Sequence, residues 1–418
     1  MTKLQEGQNP ASDASKAGEG VAPKALDDVK DAPGQALANK LDSVSLAAAS
    51  TNLITEPAPL VNSPVLIIGA GLLGASIGLA LTRAGVQVWL EDSSPTGLEL
   101  ACDLGAGQPL SVQPAPVPAL VVVATPPDVA GDVVVHALRN YPGAVVTDVA
   151  SVKEPIAKCV LERVPNLAQR YVGSHPMAGR ERSGAASARA DLFDARPWVL
   201  VATPATSPNA LSAVRQLAID LGALPTQLGA AEHDRAVALI SHTPQLVASA
   251  LAARLEQAPE VALNLAGQGL RDTTRIAASD PRLWAAILNA NRSSVAQVLR
   301  ELRVDIDALI EALEQGSGAV GTVVDVMQRG NLGRDRIPGK HGGAPSRYAE
   351  VMVLIPDAPG QLARLFNDVG AAQVNIEDLV IEHSAGQRQG LATLLVAPAT
   401  AVGLRQALEQ QGWKIVAN

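Results

Sequence analysis

The chain has 418 residues, long enough for two or three domains of about 100 to 200 residues each, and 47% of its residues are hydrophobic against 18% charged. Its formal net charge of −8 and its lack of any run rich in Lys and Arg argue against a basic face that binds nucleic acid. The two cysteines, Cys102 and Cys159, lack the spacing of a metal site or a CxxC pair, so neither a metal nor a disulfide is predicted.

The first 62 residues predict a disordered extension. They are rich in Ala, Asp, Lys, Gly and Pro and contain no aromatic residue, so they bury too little apolar surface to offset the entropy lost on ordering. They also lack the charged-then-apolar pattern of a signal peptide. No apolar run approaches the ~20 residues that span a bilayer, since the longest, Ala119 to Ala124, has strand length. A cytoplasmic protein with no membrane partner is expected.

Residues 63 to 205 predict a dinucleotide-binding domain. The stretch VLIIGAGLLGASIGLALTRAGVQVWLED has the pattern of a buried strand, a glycine-rich turn, an amphipathic helix and a second strand. Its GxGxxG motif allows a tight turn, close approach of a pyrophosphate to the backbone, and close helix packing. Asp92 favours NAD over NADP because its charge would repel a 2′-phosphate, although Ser93 and Ser94 leave phosphate binding open. The residues expected to bind the cofactor are Gly69, Ala70, Gly71, Leu72, Leu73, Gly74, Asp92, Thr125 and Pro126.

Two further strands end in polar residues. Ser151 lies just past the apolar run that ends at Asp148, and a short strand from Tyr171 delivers His175 to the same rim, where open α/β sheets bind ligands. An imidazole with an ordinary pKa of about 6.5 suits a general base, so His175 is the predicted base. The alternatives are a turn histidine bonded to backbone, and a Ser151 that caps the next helix in a capping box with Glu154.

The motif DxxSVK followed by GSHPMAGxExSG resembles TyrA-type prephenate and arogenate dehydrogenases, with Ala150 as a small departure where relatives usually carry glycine. The resemblance implies that His175 takes the proton of the substrate's ring hydroxyl, and that Ser151 hydrogen-bonds this hydroxyl and orients the imidazole. It implies NAD-dependent oxidative decarboxylation of prephenate to 4-hydroxyphenylpyruvate in tyrosine biosynthesis. Arogenate dehydrogenase, which yields tyrosine directly, and a non-catalytic NAD-binding amino-acid sensor are the alternatives.

Residues 206 to 318 predict a helical substrate domain, because the apolar period changes to 3.6 and the doubly wound sheet is expected to end near Thr203. In the resembling family this region interlocks two subunits, which implies a homodimer, although the sequence alone also allows a monomeric bundle. The blocks SHTP and GQGLRDTTRIAASDPRLW extend the resemblance. His233, in a charged helical turn, is assigned no role. The residues expected to bind substrate are Arg275, His242, Glu181, Gln245, Asp272 and Trp284.

The resemblance gives Arg275 the substrate carboxylate, which a planar guanidinium can hold with two hydrogen bonds, and Asp272 lies one turn earlier and could steady it. Glu181 could pair with Arg275 and gate the pocket, or form a surface salt bridge. His242 and Trp284 could line the pocket or fill the core. The side chain at 245 is Gln where prephenate-specific relatives often have a second histidine, which leaves the choice between prephenate and arogenate open.

The carboxyl-terminal part predicts a regulatory module. Residues 319 to 346 are glycine-rich and basic, which indicates a linker with at most one short helical turn, and residues 347 to 418 have a βαββαβ pattern. The DxPGxL turn and GxxxVNI resemble an ACT domain, a small α+β module that commonly binds amino acids. Asp357 and Gly360 stand at a helix start that could hold a carboxylate, and Asn375 could pair with an amino group. Tyrosine or phenylalanine is the expected effector, and a module that only dimerises is the alternative.

Overall fold

The computed structural model describes residues 58–111, 117–179, 184–316, 319–338, 348–383 and 389–416. Nearly all of the extension expected to be disordered, residues 1–62, lies outside these ranges. Along the described chain, an eight-stranded sheet covered by helices is followed by a helical region and then by a separate four-stranded sheet.

The first sheet confirms the predicted Rossmann-type architecture. Its strand order is β3-β2-β1-β4-β5-β6-β7-β8, and all neighbours are parallel except β6 and β7. The strands are β1 (Val65–Ile68), β2 (Val88–Glu91), β3 (Gln108–Pro109), β4 (Leu120–Val123), β5 (Val145–Asp148), β6 (Tyr171–Pro176), β7 (Pro197–Val201) and β8 (Leu224–Gln227). The chain reverses its winding direction between β1 and β4, and open α/β sheets bind ligands at such a point.

Helices cover both faces of this sheet. They are α1 (Leu72–Arg83), α2 (Pro95–Asp103), α3 (Pro127–Asn140), α4 (Glu154–Arg163) and α5 (Pro208–Asp220). Val65 and Ile67 of β1 belong to an apolar cluster that includes residues of α1 and α5, whereas Leu66 and Ile68 belong to a cluster that includes residues of α3 and α4. Successive strand residues point to opposite faces, so burial of both faces explains why β1 is apolar throughout.

The sheet extends further than the predicted end near Thr203 and the predicted boundary at residue 205. The fully buried Val214 and Leu217 hold α5 in the cluster beneath the sheet, and β8 then pairs in parallel with β7. The β8 sequence LPTQ is mostly exposed and contains a proline, as is common for an edge strand, so it lacks the apolar signal of an interior strand. The nucleotide-binding unit therefore reaches Gln227.

A helical region follows, as predicted. Its elements are α6 (Ala230–Val237), a π-helical segment (Ala238–His242), α7 (Thr243–Ala253), α8 (Glu260–Asn264), α9 (Gln268–Thr274), a 3-10 turn (Arg275–Ala277), α10 (Pro281–Ala290), α11 (Arg292–Gln315) and α12 (Ala319–Arg334). The π-helical segment joins α6 to α7 without a break, and such segments often occur at functional sites.

The continuous helix Ala230–Ala253 corrects the expectation that no segment approaches the length of a membrane span. Its 24 residues have a mean hydropathy of 1.4 over the most apolar window, enough by length and composition alone to cross a membrane. The core helix of a folded domain passes the same test. His233, Asp234 and His242 on this helix are buried and hydrogen-bonded to other elements, whereas 33% of its most apolar window is buried.

The predicted linker is helical over its first half. Helix α12 lies against α11, and the Arg329 guanidinium bonds Asp305 of α11 at 2.7 Å and Asp325 of its own helix at 2.9 Å. Three glycines within α12 lower its intrinsic helix propensity, which is why the sequence resembles a linker, but tertiary contacts routinely override propensity.

The carboxyl-terminal unit has the predicted βαββαβ order. It comprises β9 (Ala349–Pro356), α13 (Gln361–Ala371), β10 (Asp378–His383), β11 (Gln389–Val396), α14 (Pro398–Gln410) and β12 (Lys414–Val416). The antiparallel sheet has the order β10-β11-β9-β12, and its apolar face packs in one cluster with the two helices.

Candidate active site

The carboxyl ends of β1, β4, β5 and β6 meet at one rim of the sheet, because these four strands are parallel neighbours. The glycine-rich turn follows β1, and Thr125 follows β4. Asp148 ends β5, Ser151 lies three residues beyond it, and His175 is near the end of β6. The rim therefore brings the predicted cofactor residues and the predicted base to the same edge.

The glycine-rich turn has the shape that a dinucleotide requires. Gly69 has a φ of +105°, and a Cβ there would lie 2.5 Å from the carbonyl oxygen of Ala124, while a Cβ on Gly74 would lie 1.8 Å from the Gly69 oxygen. A Cβ on Gly71 would meet nothing within 4 Å, and Gly71 starts α1 without a side-chain cap. The Thr125 hydroxyl is buried with no hydrogen-bond partner in the described chain. An open cradle, uncapped helix donors and an unsatisfied hydroxyl fit a pyrophosphate and its ribose.

Asp92 is fixed beside this turn. Its carboxylate accepts a hydrogen bond from the backbone N–H of Ala70 at 2.6 Å and another from that of Ser94 at 2.7 Å. The Ser94 hydroxyl caps α2 by accepting from the Gly97 N–H at 3.2 Å. This bond uses only an acceptor position of the Ser94 hydroxyl, so the preference for NAD rests on the Asp92 carboxylate, whose charge would repel a 2′-phosphate.

His175 contacts a residue that the sequence did not single out. Its Nδ1 lies 2.8 Å from Nε2 of His233, and Nδ1 of His233 lies 2.7 Å from Oδ1 of Asp234. His233 is 1% exposed and Asp234 is 2% exposed, whereas His175 is half-buried. The three side chains form an unbroken row from the interior of α6 to the rim.

Asp234 also caps α4. Its Oδ1 accepts from the backbone N–H of Lys153 at 2.8 Å and its Oδ2 accepts from that of Glu154 at 2.9 Å. This corrects the capping-box alternative for Ser151, because α4 begins at Glu154 and its first donors bond a carboxylate 80 residues away. Within the described residues, the Ser151 hydroxyl makes no hydrogen bond to His175.

A buried ion pair lies behind the rim. Lys153 and Asp148 are completely buried, and the ammonium donates to Asp148 Oδ1 and, at 2.7 Å, to the carbonyl of Ser174. The Tyr171 hydroxyl donates to the other Asp148 oxygen at 2.7 Å. Burial lowers the pKa of Lys153 against the opposing pull of Asp148, and burial beside Asp148 raises the pKa of Tyr171 well above its ordinary value. This cluster joins the ends of β5 and β6 to the start of α4.

The pKa of His175 lies well below its ordinary value of 6.5. Burial is the largest cause, and the neighbouring His233, Lys153 and His242 act in the same direction. At neutral pH the imidazole is therefore uncharged and ready to accept a proton.

His242 lies deeper in the helical region than a pocket-lining role alone would require. It is 1% exposed, its Nδ1 lies 3.1 Å from Nδ2 of Asn291, and its ring meets Trp284 edge-on with centroids 6.1 Å apart. The same Asn291 nitrogen donates to the Asp234 carbonyl at 2.7 Å. Since an amide nitrogen only donates, His242 accepts at Nδ1 and its proton sits on Nε2.

Stability is expected to fall below pH 6.5 because of His242, whose pKa burial lowers to about 4. Between these pH values the unfolded chain binds a proton that the folded chain refuses, so stability rises with pH in this window. At pH 5 the cost is about 2 kcal/mol. Urea unfolding at pH 7.5 and pH 5 should show a smaller pH effect in His242→Gln than in wild type, whereas the exposed His136→Gln should match wild type.

The remaining predicted substrate residues lie on nearby elements. Arg275 is exposed and begins the 3-10 turn that packs against α7. Asp272 is also exposed, and its carboxylate accepts a hydrogen bond from Gln268 at 2.7 Å. The buried Gln245 donates to the Ser279 hydroxyl at 2.7 Å. Glu181 lies outside the described residues.

Known proteins resemble this chain over both the sheet and the helical region. Family models described as "Prephenate dehydrogenase, nucleotide-binding domain" and "Prephenate dehydrogenase, dimerization domain" match residues 77–225 and 229–329. A relative from Streptomyces niveus, "Probable prephenate dehydrogenase NovF", is 36% identical over 83% of this chain and 98% of its own. The structure of prephenate dehydrogenase from A. aeolicus with hydroxyphenyl propionate and NAD+ is 28% identical and has a TM-score of 0.58, over 65% of this chain and 99% of its own. The structure of Synechocystis arogenate dehydrogenase is 28% identical and has a TM-score of 0.55, over 65% of this chain and 99% of its own.

Proposed function

The chain belongs to the prephenate dehydrogenase family and is an NAD-dependent oxidoreductase that acts on prephenate, and we propose that His175 is the base of its reaction. The reaction is an oxidative decarboxylation that converts prephenate into 4-hydroxyphenylpyruvate. NAD, when bound, accepts the hydride that leaves C4 of the ring. His175 takes the proton of the C4 hydroxyl, and carbon dioxide leaves C1 while the electron pair of the broken bond completes the aromatic ring. The ring oxygen then regains a proton to give the hydroxyl of the product.

One observation carries the assignment of the base: an uncharged, half-buried imidazole lies at the cofactor rim, with a partner on Nδ1 and none on Nε2 within the described residues. A base must be neutral at the working pH and must have an open nitrogen, and both conditions hold for His175. Purified protein is expected to form NADH from prephenate and NAD. Absence of NADH with folded protein would contradict the function itself.

The rim residues would hold the cofactor in this proposal. The backbone donors from Gly69 to Gly74 would bind the pyrophosphate, Asp92 would accept from the ribose hydroxyls, and Thr125 and Pro126 would flank the nicotinamide ribose. The open space at Gly71 and the unsatisfied Thr125 hydroxyl support this placement. Ser151 is proposed to hydrogen-bond the substrate hydroxyl from the same rim.

The helical region supplies the other wall of the pocket. Arg275 holds a substrate carboxylate, steadied by Asp272, with Glu181 as a gate at the entrance. His242 donates from Nε2 toward the substrate, because Asn291 occupies its Nδ1, and Trp284 sets its orientation edge-on. These roles are carried over from the resemblance, and they are supported by the contact of the Arg275 turn with α7 and by that of His242 with Trp284.

Replacing Arg275 with Lys is expected to raise KM for prephenate and lower kcat/KM by about 10- to 100-fold, because the ammonium cannot form the paired hydrogen bonds of a guanidinium. Steady-state kinetics measure the effect. Arg271→Lys, at an exposed position four residues earlier, is the matched control and should behave as wild type. An unchanged KM in Arg275→Lys would remove this residue from carboxylate binding.

Arogenate is the second candidate substrate, and Gln245 is the observation that favours it. Its amide is buried and bonded to Ser279, so a neutral polar group stands where a histidine often occurs in prephenate-specific relatives. Arogenate differs from prephenate in carrying an amino group on its side chain, to which the amide oxygen can accept. Comparison of kcat/KM for prephenate and arogenate, each with NAD and with NADP, decides both preferences.

We further propose a homodimer formed through the helical region. One face of α11 exposes the apolar residues Ile306, Ile310 and Leu313 at 45 to 66% of their surface, more than a solvated helix usually presents together. A dimer would cover such a face. Light scattering coupled to gel filtration should give twice the chain mass, and a monomer with full activity would contradict the proposal.

The carboxyl-terminal unit is proposed to be an ACT domain that binds tyrosine or phenylalanine and lowers activity. Gly360, with a φ of +84°, starts α13 without a side-chain cap, which leaves backbone donors for a carboxylate near Asp357. Asn375 donates to Glu377 at 2.8 Å and keeps its amide oxygen for an amino group. Calorimetric titration of each amino acid into the full chain should give heat that Asn375→Ala reduces. No heat at millimolar ligand would leave a domain that only dimerises.

A further inference from the structure

The row of side chains from Asp234 through His233 to His175 determines where the protons sit. We propose that Asp234 and His233 are positioning residues that hold His175 in the tautomer with its proton on Nδ1, which leaves the lone pair of Nε2 to act as the base. This inference rests on the proposed role of His175, and it adds two residues from a different element to the catalytic arrangement.

The tautomers follow from the hydrogen-bond inventory. The Asp234 carboxylate can only accept, so Nδ1 of His233, 2.7 Å away, carries a proton. In the neutral form of His233 this is the only ring proton, so Nε2 of His233 is an acceptor. His175 Nδ1, 2.8 Å from that acceptor, must then be the donor. Its own second nitrogen, Nε2, is consequently the unprotonated one.

The carboxylate at the end of the row is itself held rigidly. It accepts from the first two backbone donors of α4 as well as from His233, and the Asp234 carbonyl accepts from Asn291. The bonds from Lys153, Glu154 and His233 fix the orientation of this buried carboxylate. Its orientation passes through His233 to the ring of His175.

The row also compensates charge during turnover. When His175 accepts a proton it becomes a cation near the ammonium of Lys153 from α4, which opposes that charge, whereas His233 and His242 oppose it only when they are themselves protonated. Asp148 at the end of β5 is already paired with Lys153. The Asp234 carboxylate is hydrogen-bonded to His233, which in turn contacts His175, so its negative charge stabilises the protonated His175. In serine proteases, loss of the carboxylate that orients the catalytic histidine lowers kcat by about 10⁴-fold because the wrong tautomer forms.

A spectroscopic test needs no turnover. In ¹⁵N-histidine-labelled wild-type protein at pH 7.5, His175 is expected to show a protonated Nδ1 and an unprotonated Nε2, and His233 the same arrangement. The His175 signals are assigned by their loss in His175→Asn. Protonated Nε2 on His175 would overturn the proposal, whether or not the protein oxidises prephenate.

Two variants test the effect on rate. His233→Leu removes the acceptor and is expected to lower kcat about 100-fold or more with little change in KM, and to move His175 toward the tautomer protonated on Nε2. His233→Gln keeps a hydrogen-bond acceptor at a similar distance from the backbone. It should recover part of the lost kcat and part of the His175 tautomer that is protonated on Nδ1. The exposed His136→Leu controls for the substitution. Wild-type kcat in folded His233→Leu would refute the proposal, and if that variant fails to fold, the wild-type spectrum decides.

Discussion

Replacement of His175 with Asn is expected to lower kcat by about 10²- to 10⁴-fold, the usual contribution of a general base. Asn keeps a polar side chain near the position of Nδ1 but has no group that can accept a proton at neutral pH. The affinity for NAD should change little, because the glycine-rich turn and Asp92 lie after different strands. NADH formation at saturating prephenate measures kcat, and fluorescence titration measures NAD binding.

The exposed His136, which contacts Asn140 on α3, provides the matched control, since His136→Asn changes the same residue type away from the rim. In wild type kcat should be independent of pH near neutrality, because the pKa of His175 lies well below 6.5, and should fall as the solution becomes acidic and the base is protonated. Normal turnover in His175→Asn would remove this imidazole from the mechanism.

Local patterns were sufficient to predict the nucleotide-binding half. The alternation of an apolar strand, a glycine turn and an amphipathic helix is encoded within about 30 residues, as is usual for a βαβ unit. The conformations of Gly69 and Gly74 agree with it. The placement of Ser151 and His175 near one rim followed from a single rule about parallel sheets.

Long-range contacts were outside the reach of the sequence. His233 and Asp234 belong to a charged helical turn whose composition is typical of a solvated surface, yet both are buried because Asp234 caps α4 across the domain boundary. The residues near the start of α4 do not indicate that its first backbone donors bond a carboxylate 80 positions away. The sequence predicts a linker over α12 for the same reason. The contact of α12 with α11 through Arg329 outweighs the low helix propensity of its glycines.

Replacement of Lys153 with Met is expected to destabilise the protein by about 3 to 5 kcal/mol, the cost of leaving one partner of a buried ion pair without the other. Met fills most of the volume of the Lys stem, so the loss comes chiefly from Asp148, which would remain buried with the Tyr171 hydroxyl and the Ala150 N–H as partners. Urea unfolding at pH 7.5 measures the change. The Ser174 carbonyl would also lose its donor, and since His175 follows it, kcat should fall as well.

The exposed ion pair Lys158–Glu162 on α4 is the control that distinguishes the loss of a buried charge partner from the loss of a charge as such. Its side chains are 71% and 63% exposed, so Lys158→Met should cost less than about 0.5 kcal/mol. Joint replacement of Lys153 with Met and Asp148 with Leu removes both charges and should recover part of the stability lost in Lys153→Met, because an apolar pair no longer requires solvation. If Lys153→Met were as stable as wild type, the ion pair would contribute nothing to holding β5, β6 and α4 together, and the rim would owe its geometry to the apolar clusters beneath it.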